Sequence, residues 1–525
     1  MVNIIKQPCD EGVIRSAPNT TPCAKNARPW VLAATILGSS MAMIDGTVVN
    51  VALPVLQKSL NATVTDVQWI VEAYTLFLAA LILAGGSLGD YLGRRRVFAI
   101  GIALFALASV WCGLSPNVNQ LILARAVQGI GGALLVPGSL AIISDSFSGE
   151  QRGRAIGTWS GFTAITSALG PVLGGWLVEN ASWRWIFFLN APLAIAVLGI
   201  LFWRVPESRD REKSVTLDWW GAALATLGLG TLVYGLIESS NLGLGHPVVL
   251  SNLAVGAVII GAFIFVEAHN RSPMMPLSLF RSSTFSGANL LTLLLYSALG
   301  GVLFFLPFNL IQVQGYSATA AGAVFLPFIL IMFLLSRWSG GLVGRYGAKL
   351  PLTVGPVIAA VGFALFAVPG VGGSYWTTFF PAVAVLGIGM AISVAPLTTT
   401  VMAAVKVRQA GIASGINNAV SRTAGLLSIA ALSIVVLNAF NYSLERRMAT
   451  LGIPPEVQQR LLTQPSKLAG IEVPVDLAVE MKIRLQTAIF QSFVDSFRLV
   501  MFIAVGLALA SAIVAALMIR KRVDA

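Results

Sequence analysis

Gly86-Ser-Leu-Gly-Asp90-Tyr-Leu-Gly93-Arg-Arg95 joins two long apolar runs, and the chain repeats its frame as Gly340-Gly-Leu-Val-Gly344-Arg-Tyr-Gly347-Ala-Lys349. A second piece keeps nearly the same offset, Val127-Gln-Gly129-Ile-Gly131 against Val385-Leu-Gly387-Ile-Gly389. The first apolar runs of the two copies start near residues 29 and 285. Self-similarity at so long a period marks one duplicated unit, not a short-repeat array. Counting apolar runs outward from these anchors gives six spans, two inserted spans and six more.

The bulk composition agrees. Of 525 residues 56% are hydrophobic and 11% charged, against roughly 25% charged in a soluble domain. Runs of about 20 apolar residues predict transmembrane helices. A β-barrel would show short alternating segments, which are absent from these runs. The fold class expected is an all-α polytopic membrane protein with 14 transmembrane helices in two six-helix bundles plus two inserted helices. The organisation expected is an N-terminal tail (1–28), a first bundle (29–204), the inserted pair with its linkers (205–284), a second bundle (285–519) carrying a polar loop (438–496), and a C-terminal tail (520–525). The tail before the first span contains Asp10, Glu11 and two prolines, which is not the layout of a cleavable signal peptide.

The net charge of +12 would suggest nucleic acid in a soluble chain. Here its distribution carries the meaning. Basic residues such as Arg94, Arg95, Arg96, Arg152, Arg154, Arg204, Arg281, Arg345, Lys349 and Lys406 fall in alternate loops, and the short loops of the other side offer Lys58 and Arg184. By the positive-inside rule both termini are expected in the cytoplasm of a cell with the chain in its inner membrane, with the 438–496 loop outside and no nucleic-acid partner. Cysteine is too scarce for a disulfide framework or a metal cluster, His246 and His269 stand alone in connecting segments, and no catalytic triad or phosphate loop is visible. No enzyme, cofactor or metal is expected. Gly129-Ile-Gly131-Gly132 lies inside an apolar helix with no strand before it, so it is not a dinucleotide loop.

An ionisable residue inside a span is costly and points to function. Asp45, Glu72 and Arg125 qualify, each six or seven residues from the same end of its span, so at ~1.5 Å per residue they share a depth. Two carboxyls near one guanidinium could share a cavity and carry a proton, with Arg125 orienting them. Arg422, in the thirteenth span, is a candidate for an anion or carbonyl contact. Around the repeated loop, Gly86, Asp90, Gly93, Arg94, Arg95, Asp145 and Arg152 suggest a gating lock between the bundles. Gly170-Pro171-Val-Leu-Gly174-Gly175 should kink its span and let helices approach closely.

These residues carry a resemblance. The chain resembles the major facilitator superfamily, and within it the 14-span drug:proton antiporters of the EmrB/QacA type, over nearly its whole length. The loop pattern is met by Gly86, Leu88, Asp90, Gly93, Arg94 and Arg95, with Tyr91 replacing a basic residue. The fourth-span pattern is met by Leu121, Arg125, Gln128, Gly129, Gly131 and Ala133, the antiporter motif by Gly170, Pro171, Gly174 and Gly175, and the first-span motif by Asp45-Gly-Thr47-Val-Val-Asn50-Val-Ala-Leu-Pro54.

The resemblance implies two pseudo-symmetric bundles around a central cavity, alternating access, and export driven by a proton gradient, with proton roles for Asp45 and Arg125. The aspartate lost at Gly344 is ordinary for the family, and Glu72 rests on its depth alone. The expected activity is efflux of amphipathic, cationic or neutral compounds. Tyr74 and Phe162 from one half and Tyr296 and Phe304 from the other are candidates for the cavity lining. Expected partners are small amphipathic substrates, protons and the lipid bilayer, for a monomeric chain whose engagement of a periplasmic adaptor stays open. Export of an endogenous metabolite, siderophore or lipid uses the same motifs, and a non-transporting sensor or scaffold is the reading from another class.

Overall fold

The computed structural model describes residues 27–520 except 148, 208–217, 271–272, 407–408, 452, 454–457, 459–460, 462–464, 472 and 475–476. The expectations that rest on the tails, including the layout before the first span, and on much of the linker after Glu207 lie outside the described residues. Among those described, 14 helices are long and apolar enough to cross a membrane. They are α1 (Arg28–Ser59), α2 (Val64–Leu92), α3 (Arg94–Leu114), α4 (Val118–Ser146), α5 (Gly149–Asn180), α6 (Trp185–Arg204), the inserted α7 (Trp219–Leu242) and α8 (Pro247–His269), α9 (Ser283–Val313), α10 (Ala318–Leu335), α11 (Lys349–Phe366), α12 (Tyr375–Ala403), α13 (Ala410–Leu451) and α14 (Val479–Met518).

Local chemistry sets the helix starts. Thr63 and Asp66 form a reciprocal capping box at the head of α2, Asn117 caps α4, Asp218 caps α7, Ser282 caps α9 and Ser317 caps α10. Each supplies a side-chain acceptor to an N–H that the first helical turn leaves unpaired. The repeat is visible in the backbone: Gly93 ends α2 at φ 112°, and Gly347 stands in the matching loop of the second half at φ 78°. Only glycine adopts that region at no steric cost, so the duplicated glycine is a turn requirement.

Inside each half the helices approach through small residues. A Cβ at Gly131 would collide with the backbone of α3 at Phe105, and one at Gly389, its repeat partner, with the backbone of α11 at Ala359. These glycines are packing surfaces, the usual means by which helices associate in lipid, where apolar burial offers little drive. The first six helices pack chiefly on one another, the last six likewise, and the inserted pair interlocks with itself through Gly228 against Ile260 and Gly256 against Leu232. Helix α7 also lies in the seam between α2 and α13. Helix α8 turns Val258 and Phe265 outward, 71% and 66% exposed, as a lipid-facing surface demands.

The halves meet at the face far from the chain termini. Gly175 of α5 leaves no room for a Cβ against Ala318 of α10, Gln312 Nε2 donates to Gln57 Oε1 at 2.9 Å, and Glu179 accepts from the hydroxyl of Thr319. That end is closed.

The stretch 438–496 differs from a simple polar loop. α13 continues to Leu451, and α14 begins at Val479. The two extensions are tied by Arg447 to Asp495 at 2.8 Å and Ser443 to Asp495 at 2.9 Å. Polar residues on a helix that outruns the apolar zone read as loop by composition, although hydrogen bonding continues the helix. Between them, Leu468, Ala469 and Ile471 tuck their side chains into the core.

The glycine packing yields a test. Gly131→Val and Gly389→Val must each force backbone apart, an overpacking cost of about 1–3 kcal/mol. Thermal melts of the purified protein in detergent should fall by several degrees for both, while Gly506→Ala, which meets open space, stays at the wild-type midpoint.

Candidate functional site

Asp45 of α1 is fully buried, and its two oxygens are claimed by two donors from α4. Arg125 Nη1 meets Asp45 Oδ2 at 2.6 Å, and Gln128 Nε2 donates to Asp45 Oδ1 at 2.8 Å. Arg125 and Gln128 are three residues apart, so one helix face presents both. Arg125 Nη1 also donates to Gln128 Oε1 at 2.7 Å, and Arg125 Nε to the carbonyl of Ile70 on α2 at 3.0 Å. Tyr74, one turn further along α2, lies under the guanidinium at 4.3 Å, and Phe187 flanks it at 5.8 Å. The network runs on through Gln128 Nε2 to Ser109 of α3 at 2.7 Å and from Asn190 of α6 to the same hydroxyl at 3.2 Å. Five helices of the first bundle meet here.

A charge buried this deeply is tolerable only when paired and hydrogen-bonded. Asp45 satisfies both conditions.

Glu72 is equally buried and is not brought to this network. Neither of its oxygens has a hydrogen-bond partner of ordinary geometry, and its electrostatic neighbour is Gln68, one turn earlier. Its depth matches that of Asp45, but its azimuth does not: Ile70 and Tyr74 face Arg125, and Glu72 is two residues from each, about 200° around the helix. It looks instead toward the seam with α7 and α13. There Gln68 Nε2 donates to the Ile429 carbonyl at 3.2 Å, Trp69 packs on Tyr234, and Leu76 clusters with Val233, Ile237, Leu426 and Ala430. The shared cavity expected for the two acids is therefore replaced by two separate positions.

The loop residues assemble at the terminal face. Arg94 bonds Asp90 at 2.9 Å and Asp145 at 2.5 Å, joining α3 to the ends of α2 and α4. Arg95 donates its backbone N–H to Glu207 at 3.0 Å and its Nη1 to the Val205 carbonyl at 2.9 Å, and Arg152 Nε donates to the Phe147 carbonyl at 3.0 Å. Asp90, Asp145 and Phe147 belong to the first bundle, and Val205 and Glu207 to the linker just past α6, so these pairs tie together the terminal ends of α2, α3 and α4 and the exit from α6. Gly86 faces Pro137 of α4.

The glycines of α5 act on both neighbours. A Cβ at Gly170 would strike Thr47 and one at Gly174 would strike Val48, two and three residues past Asp45, while Gly175 and Pro171 receive α10 at Ala318 and Gly322. The motif therefore seats the helix that carries Asp45 and closes the far end at once. Of the lining candidates, Tyr74 is buried on Arg125 and Phe162 is 51% exposed on α5. Tyr296 is partly buried against the main core. Phe304 is 1% exposed and stacked with Phe305 and Phe308, a core residue with no cavity face. Arg422 of α13 has Tyr74 as its electrostatic neighbour. Sequence reading missed Ser109 and Asn190 as partners. The available signal was a polar residue within an apolar run on each of α3 and α6.

The Major Facilitator Superfamily pattern matches residues 35–429. The chain is 34% identical over 434 residues to the multidrug resistance protein Stp of Mycobacterium tuberculosis, covering 82% of this chain and 80% of that one. It is 31% identical to the tetracenomycin C resistance and export protein of Streptomyces glaucescens, over 83% of this chain and 81% of the other. Among solved structures, a bacterial homolog to the human lysosomal transporter Spinster, inward-facing and unoccupied, superposes with TM-score 0.66 at 17% identity, over 95% of this chain and 99% of that one.

Breaking the pair should be worse than removing it. Arg125→Gln leaves Asp45 buried without its cation, which costs about 3–5 kcal/mol. Asp45→Asn combined with Arg125→Gln should melt closer to wild type in detergent than Arg125→Gln alone.

Proposed function

The chain belongs to the major facilitator superfamily, and we propose that it works there as a proton-coupled antiporter that exports amphipathic drugs or other toxic compounds across the cytoplasmic membrane. The observation that carries the proposal is the sealed Asp45–Arg125–Gln128 network, together with the export and resistance proteins to which the chain is similar. Both termini lie in the cytoplasm on this reading, supported by the basic residues of the terminal-face loops. The closed far end is then the outside.

The chemistry runs through groups already in place. With Asp45 ionised, Arg125 and Gln128 hold α1 against α4. A proton on Asp45 removes the ionic term, and Arg125 keeps its other anchors, the Ile70 carbonyl, the Gln128 oxygen and the Tyr74 face. α1 is then free to shift against α4, and α1 is the helix that Gly170 and Gly174 of α5 seat. Proton occupancy thus changes the helix contacts that open and close the far end. Glu72 supplies a second proton-accepting group at the seam with α7 and α13. The Asp90–Arg94–Asp145 cluster keeps the terminal ends of α2, α3 and α4 moving as one body.

In a drug-hypersensitive host the protein should raise tolerance to some members of a panel of amphipathic antibiotics, and a protonophore should cancel the gain. In proteoliposomes, Asp45→Asn and Glu72→Gln should each lower pH-gradient-driven transport of a panel member by roughly tenfold or more. Gradient-driven transport left intact in both variants would defeat proton coupling.

A further inference from the structure

Arg422 sits halfway along the seam where the two bundles slide past each other. On α13, Gly415, Arg422 and Ile429 recur at seven-residue spacing and form one stripe. Gly415 meets Leu83 of α2, and the carbonyl of Ile429 accepts from Gln68 of α2 at 3.2 Å. The helices run antiparallel here, which places Arg422 opposite the middle of α2, about 10 Å along the helix from either contact. Its electrostatic neighbour there is Tyr74, the same ring that covers Arg125.

Among the described residues, Arg422 forms no ion pair and no hydrogen bond. That is unusual for a guanidinium inside a transmembrane helix, where an unanswered charge is costly and is kept for function. The two acids at membrane depth in the first bundle do not answer it. Asp45 is bound to Arg125 and Gln128, and Glu72 lies among apolar side chains next to Gln68. The side chain is half-buried. The seam therefore presents a positive charge that neither acid answers, since Glu72 has Gln68 and not Arg422 as its electrostatic neighbour.

We infer that Arg422 is the anchor for an anionic group, a carboxylate, on the exported compound, so that the preferred substrates are amphipathic acids rather than the cationic or neutral compounds expected from the sequence. Guanidinium suits the task, because its planar fork binds a carboxylate through two parallel hydrogen bonds. Tyr74 then stands between the substrate's charge and the Arg125–Asp45 pair, which gives substrate binding a direct electrostatic path to the proton site. The inference rests on the export reading but tests separately from it.

The probes are pyrenebutyrate, pyrenebutanol and pyrenebutylamine, which share one apolar body and differ in charge. Binding to the purified full-length protein in neutral micelles is read by energy transfer from its tryptophans. Wild type should prefer the acid over the amine by roughly tenfold or more, the ratio one charge-assisted hydrogen bond carries. Arg422→Gln should bring the acid-to-alcohol ratio down to about one, with partitioning into the micelles cancelling in the comparison with wild type. Arg422→Lys, which keeps the charge without the fork, should fall between. Equal binding of acid and amine by wild type, or an acid preference that survives Arg422→Gln, overturns the inference. If Arg422→Gln fails to fold, the wild-type acid-to-amine ratio and Arg422→Lys still decide. Wild-type protein that binds the acid preferentially yet shows no gradient-driven transport would defeat proton coupling and leave the anion site standing.

Discussion

The ion pair between Asp45 and Arg125 organises the first bundle because neither charge can be left alone at that depth. Moving either ion out of water costs several kcal/mol even after relaxation, and only close geometry with further hydrogen bonds offsets it. The bundle meets that condition by converging five helices: α1 brings the acid, α4 the guanidinium and Gln128, α2 a carbonyl and a ring, and α3 and α6 the hydroxyl and amide that hold Gln128 in line. The glycines of α4 and α5 follow from the same requirement, since helices that must bring charged atoms to 2.6 Å cannot carry bulky side chains at their crossings. Thr47 and Val48, packed on Gly170 and Gly174, tie the acid's helix to the surface that seals the far end.

Much of the fold was legible because membrane burial imposes a simple rule on composition. Apolar runs of the right length gave the 14 helices, and the glycine-framed loop gave the duplication that Gly93 and Gly347 now show as matching positive-φ turns. The rule fails where helices leave the apolar zone. α13 and α14 extend well into the 438–496 stretch because backbone hydrogen bonding continues where hydropathy stops. The site was legible in depth but not in direction. Asp45, Glu72 and Arg125 do share a level, yet Glu72 is half a turn away from the face that meets Arg125. The carbonyl of Ile70 and the ring of Tyr74 fix that face, and the two-residue spacing from each already contained the answer. Phe304 failed for a related reason, because an aromatic residue in an apolar helix faces the core as readily as a cavity, and only packing partners decide.

The second bundle contrasts with the first. Its repeat of the charged loop has Gly344 where Asp90 stands, and Val383 occupies the place of Arg125. Its ion pairs among the described residues, such as Arg447 with Asp495, lie on the extensions of α13 and α14, and its core packs around Phe305, Phe308, Phe363 and Phe379. Among the described residues it presents Arg422 at the seam. On the proposed reading, proton chemistry belongs to one half and the substrate contact to the other, and Tyr74 stands between the two cations. The inserted α7 braces that seam on the side where Glu72 lies.

The central claim is that occupancy of the Asp45 site by a proton is exchanged against substrate. It is tested most directly by adding a compound from the resistance panel to purified protein in weakly buffered detergent solution and recording the pH change. Wild-type protein should release protons on binding, in an amount that disappears in Asp45→Asn although that variant still binds the compound. Proton release of the same size from Asp45→Asn would contradict the account.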